Sequence, residues 1–389
     1  MKFFHTADWH LGKLVQGVYM TDDQRHALEQ FVRDVERERP DAVVIAGDLY
    51  DRAVPPAEAV ALLDELLARI VIGLGTPVLA IAGNHDSPDR LDFATRMMES
   101  RGLHLSGRLT RDIRTVALQD EFGPVHFHLV PYADPAIVRY IEENEEIRTH
   151  DDAMKATVAA ISGSMDEGAR HVFVGHAFVT PYGEPEANTS DAERPLSIGG
   201  AEYVRADHFK PFHYTALGHL HAAHAVVGDN IRYSGSPLKY SIDEERHEKG
   251  YYIVEMNGAG EVRVDKRTLA PLRDMRRVVG TMAEIAAHAP SDDYVFVTLR
   301  DETPVLYPME KVRSVYPNAL HVDRSVQRGE ADEEGATAAG SGESRRKADP
   351  VSLFAAFYRE VTGQPIDDGK LALFRETFAE ALRLEEEAG

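Results

Sequence analysis

Five short stretches each place metal-capable or proton-active side chains directly behind an apolar run: "ADWH" (7–10), "GDLYD" (47–51), "GNHD" (83–86), "GH" (175–176) and "GHLH" (218–221). Together they offer Asp8, His10, Asp48, Asn84, His176, His219 and His221. Carboxylates, imidazoles and one amide in a single set suit a pair of divalent ions such as manganese or iron. The 389 residues contain no cysteine, which excludes thiolate sites and disulfides and leaves only nitrogen and oxygen donors. Asp8 and His10 are two apart, as are His219 and His221. An extended backbone would aim each pair the same way, with Trp9 and Leu220 packing behind. Glycines before four of the loops let the chain turn sharply beneath the ions.

Those loops need a scaffold that brings them to one edge. "KFFHTA" (2–7), "DAVVIAG" (41–47) and "PVLAIAG" (77–83) read as buried strands. Between them, Thr21 can cap a helix whose Leu28, Phe31, Val32 and Val35 share a face. A second helix, from Ala57 to Ile70, would turn Val60, Leu63, Leu67 and Ile70 inward. Further strands fall at 125–132, 171–176, 214–221, 231–236 and 250–256. Alternating strands and helices predict an α/β layered fold. Open sheets of this kind bind ligands beyond the carboxyl ends of their strands, where all five loops lie.

The order D-x-H, G-D-x-x-D, G-N-H-D, G-H, G-H-x-H resembles the calcineurin-like metallophosphoesterases. More narrowly, "HTADWHLGK", "GDLYDRAVPP", "GNHDSPDRLDF", "ERPLSIGGAEYV", "ALGHLH" and "YSGSPLKYS" resemble the bacterial SbcD-type nucleases of DNA double-strand-break repair. The resemblance implies a sandwich of two sheets flanked by helices over 1–265, a small α/β capping domain over 266–328, and a C-terminal helix pair. It also implies that Asp8, His10 and His221 hold one ion and Asn84, His176 and His219 the other, with Asp48 bridging. Manganese is the expected metal. His85 is then the general acid for the leaving oxygen, oriented by the Asp51 carboxylate, while Asp86 fixes the turn. Arg52, Ser236, Lys239, Arg276 and Arg277 are the candidate DNA contacts. The implied activity is metal-dependent 3′–5′ exonuclease and endonuclease cleavage of DNA ends and hairpins, by a homodimer within a complex built on an SbcC-like coiled-coil ATPase. A phosphatase or phosphodiesterase acting on a small phosphoester is the alternative, and a DNA-end scaffold with a vestigial site is a third reading.

The formal net charge of −22 argues against indiscriminate binding to nucleic acid, so any DNA contact must be local, as in "KRTLAPLRDMRR" (266–277). No stretch is long and apolar enough to cross a membrane, and "MKFFHTADWH" lacks a signal peptide's long apolar segment and turns polar within a few residues, so the chain reads as cytoplasmic and, by resemblance, nucleoid-associated. The run 329–348 has no large apolar residue and reads as a flexible linker. Beyond it, 349–389 forms two amphipathic helices. Val351, Phe354, Phe357, Tyr358 and Val361 line one; Leu371, Phe374, Phe378 and Leu382 line the other. So much apolar surface in so few residues is expected to dock on the ATPase partner. No phosphate-binding G-x-x-x-x-G-K-[ST] loop occurs, so ATP chemistry must come from that partner. Of the remaining histidines, His5 reads as a hydrogen-bonded core residue and "HFH" (126–128) as a solvated strand face.

Overall fold

The computed structural model describes residues 1–183, 193, 202–324, 350–362 and 364–388. The linker 329–348 and most of "ERPLSIGGAEYV" lie outside the described residues, as do the side chains of Val361 and Leu382. The chain divides into two compact units, Met1–Arg276 and Arg277–Gly389.

Two six-stranded sheets build the first unit. In spatial order, one contains Val262–Thr268, Gly250–Met256, Lys2–Thr6, Ala42–Ile45, Val78–Ile81 and Leu103–Ser106. The other contains His224–Val227, Ile231–Tyr233, Tyr214–Gly218, Arg170–His176, Gly123–Val130 and Arg114–Asp120. The central pairings are parallel in both sheets. Parallel strands covered on both faces need apolar residues at successive positions, which is why these segments read as unbroken runs.

Adjacent residues of one strand therefore enter different layers. Phe4, Val43 and Ile45 face the helices Thr21–Glu38 and Ala57–Ala68. Phe3, Ala42 and Val44 face the second sheet, where the Phe3 ring meets Phe127 and Tyr214 edge-on at 5.3 and 5.6 Å. Phe173 and Leu217 face an outer layer that includes Phe209, Phe212, Val158 and Ile161. Helix, sheet, sheet, helix is the layering expected of the sandwich.

Local readings differ at several points. Leu28, Phe31, Val32 and Val35 are buried as expected, but Met20 rather than Thr21 caps their helix, without a side-chain bond. In the next helix the inward residues are Ala59, Leu62, Leu63, Leu66 and Leu67, while Val60 is 44% exposed. The buried stripe leans toward Leu62 and Leu66, and an alternative helical turn at Arg69–Gly73 carries Ile70 inward. Residues 266–268, expected in the capping segment, pair with Gly250–Tyr252 and extend the first sheet. His128 is buried rather than solvated, because the outer layer covers that face of its strand and Phe212 packs on its ring.

The second unit has a three-stranded sheet ordered Met275–Gly280, Tyr294–Leu299, His321–Arg324. Short helices Met282–Ala286 and Pro308–Arg313 close its core around Ile285, Val295, Val297 and Val312. The first of them starts on a Thr281–Glu284 capping box. Helices Pro350–Thr362 and Asp368–Ala388 meet through the stacked rings of Phe354 and Phe374, 3.8 Å apart. Leu353, Phe357 and Leu373 on this pair are at least half exposed.

Candidate metal centre

The seven expected ligands leave the carboxyl ends of five parallel strands, three from one sheet and two from the other. Asp48 lies at the middle. Its Oδ2 is 3.4 Å from His176 Nε2, 3.6 Å from His10 Nε2 and 4.0 Å from His85 Nε2. His10 Nε2 and His221 Nε2 face each other at 3.1 Å. Donor atoms of Asp8, His10 and His221 fall within 4.8 Å of one another, and so do those of Asp8, Asp48 and His176. Asn84 Oδ1 is 2.9 Å from His176 Nε2, and the His219 ring lies against His176 with centroids 5.4 Å apart.

The backbone achieves this convergence differently from the extended geometry expected. Asp8, His10, Asp48 and His219 all have positive φ, at 54°, 45°, 52° and 107°. Left-handed backbone is rare for residues with a side chain and costs on the order of 1–3 kcal/mol each. Main-chain ladders hold it in place: Asp8 and His10 donate their N–H groups to Gly47 and Asp48 carbonyls, and the His219 N–H donates to the Asp8 carboxylate. Trp9 and Leu220 are fully buried behind the loops. Only one of the four loop glycines has positive φ, namely Gly47. Gly83 is required for space, since a Cβ there would lie 2.2 Å from Asp48 Oδ1.

The donor set fits divalent cations. Asp8 and Asp48 are buried carboxylates among buried imidazoles, and burial pushes the Asp8 carboxyl up to about 7. Burial also holds His10 and His219 well below the usual imidazole range, which leaves them neutral and able to donate a lone pair. Burial alone would lower His176 too, but the Asp48 charge overcomes it and raises this ring to about 9. His10 Nδ1 has no hydrogen-bond partner among the described residues. A pair of dications would keep both carboxylates ionised and give the facing His10 and His221 nitrogens a common target.

His85 is 3% exposed, and its Nδ1 lies 2.8 Å from the main-chain carbonyl of Asp51. The Asp51 main-chain carbonyl thus holds Nδ1, while the Asp51 carboxylate, 2.8 Å from Lys13 Nζ, keeps an oxygen within 4.8 Å of nitrogens of both His10 and His85. Asp86 accepts main-chain N–H bonds from Leu49, Tyr50 and Gly83 at 2.9–3.1 Å, binding the second loop to the third.

Three of the expected substrate contacts, Arg52, Ser236 and Lys239, have different local partners. Arg52 is exposed, with its guanidinium 3.6 Å from the Asp51 carboxylate. Ser236 is fully buried, donating to the Leu238 carbonyl and accepting from Lys249. Lys239 is 2.7 Å from Asp274. Arg276 and Arg277 fall on either side of the boundary between the units.

Several residues around the centre escape the motif reading. Gln24, on the first helix, accepts from Gly12 N–H and donates to the carbonyls of Trp9 and His10. Tyr240 also donates to the Trp9 carbonyl. Glu244 Oε1 is 2.9 Å from His221 Nδ1, and Lys249 pairs with the other Glu244 oxygen at 2.5 Å.

Comparison with known proteins gives matches over both units. The family model for calcineurin-like phosphoesterase matches residues 1–223. The SbcD_C model, described as type 5 capsule protein repressor C-terminal domain, matches residues 271–362. Among solved structures, a dimetal phosphatase from Danio rerio is similar at 13% identity and TM-score 0.42, covering 70% of this chain and 97% of its own. The protein TT1561 of Thermus thermophilus is similar at 12% identity and TM-score 0.39, covering 68% and 98%. GAP50, the anchor in the inner membrane complex of Plasmodium, gives 12% and 0.37, with 69% and 89% covered.

Proposed function

The chain belongs to the calcineurin-like phosphoesterase family, and from that premise we propose that it is a manganese-dependent DNA nuclease, the cleaving subunit of an SbcCD-like complex. The observation that carries this reading is the meeting of three imidazoles from three loops within 4.0 Å of one Asp48 oxygen. The SbcD_C match over 271–362 directs the phosphoester chemistry toward DNA.

Asp8, His10 and His221 would hold one ion, Asn84, His176 and His219 the other, and Asp48 both. Two such ions, when bound, supply Lewis acidity at the phosphoryl oxygens and a hydroxide nucleophile at neutral pH. The chain's own residues do the rest. His85 gives a proton to the leaving sugar oxygen from Nε2, the nitrogen that faces Asp48, while Nδ1–H donates to the Asp51 carbonyl. Holding Nδ1 in this way fixes the ring plane, so the acid needs no rotation before it acts. Asp86 keeps Asp48 and His85 in register by tying together the loops that bear them.

The C-terminal helix pair would grip an SbcC-like coiled-coil ATPase through the face that exposes Leu353, Phe357 and Leu373. A homodimer would bring two centres to one DNA molecule, and the exposed Phe93 and Met97 offer an apolar face for that contact. No helix among the described residues is long and apolar enough to cross a membrane, in keeping with work at the nucleoid in the cytoplasm. The test sets linear and hairpin DNA against a small aryl phosphodiester, each with manganese. The reading expects the DNA ends to be degraded with the higher kcat/KM. Rapid turnover of the small ester with DNA left intact would replace it by a small-molecule phosphodiesterase.

A further inference from the structure

Two ligand histidines are supported from behind in different ways. His176 Nδ1 lies 2.9 Å from the Ala46 main-chain carbonyl, a neutral acceptor. His221 Nδ1 lies 2.9 Å from the carboxylate of Glu244, which has no exposed surface. Lys249 is itself buried. Beyond Glu244 it reaches the His221 carbonyl at 2.9 Å and the Ser236 hydroxyl at 2.8 Å, so each of its three protons has an acceptor. The Tyr240 N–H adds a 3.3 Å contact to Glu244. A buried ion pair satisfied on both sides is a rigid support rather than a source of net stability.

We propose that Glu244 and Lys249 are the positioning pair of the metal centre, and that they make the ion held by Asp8, His10 and His221 the tighter bound of the two. This rests on the two-ion reading given above. A carboxylate behind a ligand imidazole places the proton on Nδ1, leaves the Nε2 lone pair for the ion, and makes that nitrogen a stronger donor. Here Nε2 is the atom facing His10 at 3.1 Å. The same ion also has a carboxylate of its own in Asp8, whereas Asn84, His176 and His219 contribute no charge beyond the shared Asp48. Lys249 cancels the Glu244 charge at its far oxygen, so the pair orients the ring without adding an unpaired charge to the core.

Manganese titration of the metal-free full chain, followed by calorimetry and by the paramagnetic resonance of free Mn2+, tests this directly. The parent should bind two ions in unequal steps. Glu244→Gln keeps an oxygen acceptor but loses the charge, and should weaken the tight step about 10-fold with the weak step unchanged. The double variant E244L/K249M replaces the pair by apolar groups and can fold without a buried charge. It should weaken the tight step by up to about 100-fold while melting, metal-free, near the parent temperature. An unchanged tight step in that folded double variant overturns the inference. A parent that binds no manganese instead brings down the two-ion reading beneath it.

Discussion

Strands Arg170–His176 and Tyr214–Gly218 have histidines close to both ends, and the two clusters live under different rules. At the carboxyl ends, His176 and His219 join His10, His85 and His221 around two buried carboxylates, on backbone that is left-handed at four of the ligands. At the starts, His171 and His213 join His126 and His128. There the rings satisfy one another. His128 Nε2 lies 2.9 Å from His171 Nδ1, its Nδ1 meets the Thr115 hydroxyl, and His171 Nε2 meets the Asp166 carbonyl. Histidine density alone therefore does not define a metal centre. Carboxylates placed among the imidazoles do, together with backbone strain that the surrounding ladders sustain.

The largest effect is expected at Asp48. Asp48→Ala should lose both ions and cut phosphodiester hydrolysis about a thousand-fold or more. His128→Gln should keep full metal content by elemental analysis, and a variant there that lost manganese would merge the two clusters into one system. His85→Ala sharpens the contrast within the first cluster. It should retain both ions yet lose roughly 10²–10⁴-fold on DNA. The loss should shrink on an aryl phosphodiester whose leaving group needs no proton, and equal losses on the two substrates would remove His85 from the acid role.

The smallest expected effect belongs to the second cluster. Burial, reinforced by His171 and His126, lowers His128 to about 4. An imidazole whose folded-state pKa lies below its ordinary value of about 6.5 resists protonation in the fold. Its stabilising share is complete above pH 6.5, declines as the pH falls toward 4, and is then lost. The melting temperature should drop on the order of 5 °C over that interval from this group, and His128→Gln should flatten part of the drop. An identical pH profile in the variant would show that the ring titrates normally.

Much of the centre is legible because its chemistry interrupts strong patterns. A buried parallel strand is monotonously apolar, so an Asp, Asn or His at its carboxyl end stands out, and five such interruptions identify one edge. The backbone at Asp8, His10, Asp48 and His219 is not legible, because no residue type there demands positive φ; the strain is imposed by ladders to distant strands. Glu244 and Lys249 are hidden for a related reason. "IDEERHEKG" reads as a solvated charged segment, and the partner that draws Glu244 inside, His221, is 23 residues earlier. Their only local signal is closeness to "YSGSPLKYS". The alternation around His126 and His128 has the period of a strand, but it cannot say whether the second face of a sheet meets water or another layer.

The three N–H groups gathered by Asp86 have a mechanical consequence. They rivet the turn bearing Asn84 and His85 to the loop bearing Asp48, so this wall must shift as one plate or not at all.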